Sequence, residues 1–183
     1  MWRDVFFTMV QLLVAPSKIW KELARETRSE NEFHFRFLYP IFGVIALAAF
    51  IGGLWFTRDG NVERALKSCI ISVVAVFGGY IIAAYVLNEL ALYYGKEKDM
   101  PGYRQFVGYA STMIYLLYIV ISFLPYFFIL WFLSLYTVYL VAMGAPVFLK
   151  IAPKYQTRFT VAASAVIILA PILIQTLFSL LIH

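Results

Sequence analysis

The sequence predicts an all-α, polytopic membrane protein. Five transmembrane helices follow an amphipathic N-terminal helix, with the N-terminus cytoplasmic and the C-terminus external. Three observations carry this. Of 183 residues, 63% are hydrophobic and 14% charged, proportions foreign to soluble domains. Residues 106–149 form a run of forty-four without Asp, Glu, Lys, Arg or His. As one helix that run would reach roughly 66 Å, about twice the hydrocarbon thickness of a bilayer, so it must fold back, most naturally at Pro125. Finally, the Lys and Arg residues are shared unequally between the two ends of the spans.

Residues 1–36 form a cytoplasmic amphipathic segment, and residues 37–183 a single five-helix transmembrane domain with no linker-like stretch. Val5–Val14 is apolar but too short to span and is interrupted by Thr8 and Gln11. Asp4 before it and Pro16-Ser17-Lys18 after it make a poor signal-peptide cleavage region, so a helix in or near the membrane interface is expected. Pro16 suits a first helical position. The stretch PSKIWKELARE then puts Ile19, Trp20 and Leu23 on one side and Lys18, Lys21, Glu22, Arg25 and Glu26 on the other. Such a helix either rests at the membrane surface, with Trp20 at headgroup depth, or packs under the bundle.

The first span is Phe37–Phe56, with Pro40 in its first turn, where a missing N–H is tolerated. Ala48/Gly52 and Ala49/Gly53 recur four apart and allow another backbone to approach. The second span lies between Lys67 and Lys96, with Ala75, Gly79 and Ala83 spaced likewise. Folding at Pro125 gives spans three and four. The loop KIAPKYQTR leads to the fifth, Phe159–Ile182, which contains Pro171.

Orientation follows from the cations. Residues 1–36 hold Arg3, Lys18, Lys21, Arg25, Arg28 and Arg36. The second and fourth loops hold Lys96, Lys98, Arg104 and Lys150, Lys154, Arg158. The opposite side has Arg58, Arg64 and Lys67 alone, a split of twelve to three that places the N-terminus inside and His183 outside. Trp55, Phe56, Tyr126, Phe127 and Trp131 would form an outer aromatic belt, and Tyr93, Tyr94, Tyr103 and Tyr155 an inner one.

Groups able to do chemistry are few. His34 and His183 are the only histidines, near opposite ends of the chain, and Cys69 is the only cysteine, so no intrachain disulfide or cysteine metal site can form. No HExxH, GxSxG, phosphate-loop or dinucleotide glycine pattern occurs, and no cofactor is expected. No basic run suggests nucleic acid. Glu89 is the one acidic residue within a span. Beside Asn88 and six residues from Gly95, it falls near the cytoplasmic boundary, where it could pair with Arg104, Lys154 or Arg158. The hairpin predicts a polar seam: Tyr115 opposite Tyr136 and Thr112 opposite Tyr139 in depth, their faces turned toward each other or toward a third helix and away from hydrocarbon.

These pieces resemble the Yip family, membrane proteins first known for interacting with Ypt/Rab-type GTPases. APSKIWKELARE is similar to the family's Pro-x-x-x-Trp helix, FLYPIFGVIALAAFIGG to its first span, and YYGKEKDMPGYRQFVGYAS to its glycine-containing loop and Gly-Tyr-Ala segment. The chain departs from the pattern at Thr112-Met113, where a proline would be expected, so span three has no proline to kink it. The short N-terminal arm resembles prokaryotic members, implying a bacterial cytoplasmic membrane and no assumed Rab partner. The resemblance implies a non-catalytic scaffold or trafficking-like protein, acting through helix packing and contacts with lipid, a protein partner or a second copy. The alternative is a small-molecule or ion transporter with Glu89 near its cytoplasmic mouth.

Overall fold

Inside a bilayer every backbone polar group must find its partner within the protein, and helices do this locally. The computed structural model describes residues 2–26, 29–56, 61–124 and 126–181, and all of its regular elements are helical. Pro125, Arg28, Arg58, Ile182 and His183 lie outside the described residues, as does the side chain of Phe56. The α-helices are α1 (Trp2–Val14), α2 (Pro16–Arg25), α3 (Glu30–Phe33), α4 (Tyr39–Phe56), α5 (Val62–Leu90), α6 (Met100–Ala110), α7 (Thr112–Phe123), α8 (Tyr136–Val147) and α9 (Pro153–Leu181). Four stretches are long and apolar enough to cross a membrane: Glu30–Trp55, Val62–Tyr94, Ile129–Val147 and Pro153–Leu181. Taking α6 and α7 as one bent span makes five.

The first span starts earlier than Phe37. Helix runs continuously from Glu30, so Pro40 sits well inside it rather than in its first turn. The missing N–H of Pro40 is absorbed by a π-helical turn over His34–Leu38, in which the Tyr39 N–H reaches back to the His34 carbonyl. A π turn beside proline is a familiar way of accommodating a broken ladder.

Span three bends by 44° at Ser111 without a proline, so the missing proline at Thr112-Met113 does not remove the kink. Ser111 sits at φ −79°, ψ 1°, outside the helical well. The Thr112 hydroxyl donates to the Tyr109 carbonyl at 2.7 Å, competing for a group at the break. After the turn, span four opens as a 3-10 helix over Phe128–Leu135 before becoming α8. Eight residues is long for that geometry, and with three residues per turn it places Trp131 and Ser134 on one face.

α5 is the central element, packed between α4 and α9 and against α6. The small residues read from the sequence sit at these contacts. Ala75 and Ala83 are buried, and a Cβ at Gly79 would lie 2.6 Å from the Pro171 ring of α9. In lipid, such close backbone approach supplies van der Waals contact that apolar burial cannot.

Candidate functional site

α2 is placed first, because its packing decides what the bundle displays. Ile19, Trp20 and Leu23 are all buried, with Trp20 fully so. The Trp20 indole sits 5.4 Å from the Phe106 ring, 6.2 Å from Tyr109 and 5.6 Å from Phe148. Gly144 of α8 makes room for it: a Cβ there would be 2.6 Å from the indole. Of the two expectations for this helix, packing on the bundle describes it. The three side chains offered to the membrane surface face protein instead. Ser17, Lys18, Lys21, Glu22 and Arg25 remain exposed on the outer side.

The same end of the bundle gathers most of its charged and polar side chains. The Arg104 guanidinium donates to the Glu30 carboxylate, joining α6 to α3. His34 Nε2 lies 3.1 Å from the Tyr80 hydroxyl and His34 Nδ1 2.8 Å from the Glu30 carbonyl, tying α5 into the group. A cavity of about 430 Å³ opens between Glu30, His34, Tyr80 and Arg104. Glu89 bonds to Lys98 at 2.5 Å rather than to Arg104, Lys154 or Arg158. Both its side chain and that of Lys98 are 43% exposed, so the pair is worth no more than about 1 kcal/mol. Asn88 beside it is buried, with its side-chain oxygen unbonded among the described residues. Gly95, at φ 66°, ends the 3-10 turn over Ala91–Tyr94, and Asp99 caps α6 by accepting from the Gly102 N–H at 3.3 Å.

Of the two arrangements expected at the hairpin seam, Tyr115 and Tyr136 adopt the second: each turns to a third helix and not to the other. The Tyr115 ring packs edge-on to Phe42 of α4 at 5.6 Å, while the Tyr136 hydroxyl donates to the Leu13 carbonyl at 2.7 Å. Thr112 bonds back across the break to the Tyr109 carbonyl of α6, and Tyr139 is 45% exposed beside Tyr136. Two effects defeat the pairing. The bend at Ser111 redirects α7 toward α4, and the Tyr136 hydroxyl is taken by the Leu13 carbonyl of α1. Tyr103, assigned to the inner belt, is buried, whereas Tyr93, Trp55 and Tyr126 are strongly exposed.

Sequence reasoning missed a cavity of about 800 Å³ at the far end, between α5, α9 and the 3-10 helix. Its polar lining includes Arg64, Lys67, Ser68, Ser72, Ser134 and Gln175, and a smaller space of about 260 Å³ adjoins it beside Tyr118. A signal was present: Ser68 and Ser72 lie four apart, and Gln175 and Ser179 repeat that spacing on the last span. Between the two polar ends lies a buried apolar layer that includes Phe42, Ile45, Ala75, Val76, Ile114 and Ile167.

Among the described residues no cluster of three His, Cys, Asp or Glu side chains could hold a metal ion. A family model described as Yip1 domain matches residues 10–176. No curated protein and no solved structure matches the chain.

Proposed function

The chain belongs to the Yip1 domain family, and on that footing we propose that it is a non-catalytic membrane-organising scaffold acting through contacts of its charged end. The observation that carries this reading is the docking of α2. Its apolar side is used up inside the bundle around Trp20, so its charged side is held outward as a fixed platform. A helix that merely floated at the membrane surface would offer no defined geometry to a partner. With the twelve-to-three basic split, this platform faces the cytoplasm, in our reading that of a bacterial cell. Lys18, Lys21 and Arg25, with the basic loops nearby, suit a protein partner with an acidic surface. The buried apolar layer between the two polar ends, and the exposed pairing of Glu89 with Lys98, favour contact over conduction.

Crosslinking in native membranes tests this. A photoreactive residue placed at Lys21 should trap a discrete protein adduct. The same group at Leu173, on an exposed apolar face, should trap none beyond lipid. Absence of an adduct at Lys21, or identical adducts at both positions, would refute the platform.

A further inference from the structure

We propose that the cavity at the far end of the bundle binds the phosphate headgroup of a membrane lipid. It stands apart from the scaffold reading, because it lies at the opposite end from α2. The argument begins with the sorting of donors and acceptors. Arg64 and Lys67, on the first turns of α5, stand at the mouth. Glu63 bridges Lys67 at 3.0 Å but is not part of the lining, and among the described residues no carboxylate is. The hydroxyls of Thr176 and Ser179 are turned back onto carbonyls of their own helix. Those of Ser68, Ser72 and Ser134 make no hydrogen bond among the described residues and remain available. The Tyr118 hydroxyl donates to Gln175 Oε1 at 2.7 Å, which occupies the amide oxygen and leaves the amide N–H groups to face the space. The result is the Arg64 guanidinium, the Lys67 ammonium that Glu63 shares at the rim, and a set of hydroxyl and amide donors within the cavity, a constellation that selects an anion rich in acceptor oxygens.

Depth identifies the anion as a lipid. Ser72 lies eight residues below Arg64, roughly 12 Å along α5, too deep for a soluble phosphate to need. A glycerophospholipid needs both levels: phosphate oxygens at the mouth and ester carbonyls about one headgroup lower. Leu66 and Ile70 of α5 and Leu173 and Leu177 of α9 are exposed at the flanks, so acyl chains can leave sideways into the bilayer. Trp131 and Ser134, aligned by the 3-10 helix, close the remaining wall.

The test is native mass spectrometry of the full-length protein in detergent, titrated with phosphatidylglycerol and with diacylglycerol of the same chains. Phosphatidylglycerol should bind, and diacylglycerol should bind at least tenfold more weakly. The double variant Arg64→Gln/Lys67→Gln should weaken phosphatidylglycerol binding roughly tenfold or more, the size of one lost charge-assisted hydrogen bond. Both side chains are on the surface, so the variant should keep the wild-type melting transition. Ser72→Leu, which fills the deep end, should weaken binding through a separate wall. Lys150→Gln/Lys154→Gln at the other end should not. Equal binding of diacylglycerol, an unchanged affinity in both cavity variants, or an equal loss in the control pair would overturn the proposal. Displacement by glycerol 3-phosphate would overturn the lipid assignment and point to a soluble phosphate ligand.

Discussion

Trp20→Ala should destabilise the folded bundle by about 3 kcal/mol, the lower end of what truncating a buried large aromatic costs. The side chain is fully buried against three aromatic rings, and no neighbour can refill the space without moving α6 or α8. The lower end applies because α2 lies at the edge of the bundle and part of the cavity can collapse. Unfolding in mixed detergent micelles, followed by circular dichroism, measures the loss. Trypsin reports its location: Lys18, Lys21 and Arg25 should be cut much faster once α2 lifts away. Trp20→Phe should retain most of the stability. A cost below about 1 kcal/mol, with unchanged proteolysis, would mean α2 is not docked, since surface substitutions stay within that range.

Gly52→Ala should cost about 1–3 kcal/mol, the range for inserting a methyl group into a packed core, and toward its upper end. A Cβ at Gly52 would overlap the Ser122 carbonyl oxygen. That obstacle is backbone, so relief requires separating α4 from α7 rather than turning a side chain. Gly43, in the same helix, supplies the control, because a Cβ there meets nothing within 4 Å. Gly43→Ala should stabilise by up to about 1 kcal/mol through helix propensity alone. Both are read by the same mixed-micelle unfolding. Equal behaviour of the two variants would show that α4 and α7 do not meet at Gly52.

The fold was largely legible in the sequence because the bilayer imposes strict rules on length and polarity. The forty-four-residue apolar run, the four-residue spacing of Ala75, Gly79 and Ala83, and the alternation of charge along PSKIWKELARE each correspond to a structural contact. What could not be read was which neighbour each face meets. Ile19, Trp20 and Leu23 have the same pattern whether they face lipid or protein; only the gap left at Gly144, more than a hundred residues away, decides it. Tyr115 and Tyr136 are matched in depth, but depth does not fix azimuth, and the bend at Ser111 turns them apart. Pro40 pointed to a helix start, yet a π turn let the helix run through it. The far-end cavity was hidden for a related reason: Ser68, Ser72, Ser134 and Gln175 are unremarkable singly and converge only when three helices are assembled.

Flux across liposomes tests most directly whether this Yip1 family protein works by contact, as proposed, and not by conduction. The full chain is reconstituted and proton, ion and small-solute leak is compared with protein-free vesicles, alongside Glu89→Gln. Leak indistinguishable from empty vesicles is expected for both proteins, because Ala75, Val76 and Ile167 are buried in an apolar layer. A saturable flux in the wild-type protein that Glu89→Gln abolishes would contradict it, and would make Glu89 part of a permeation pathway.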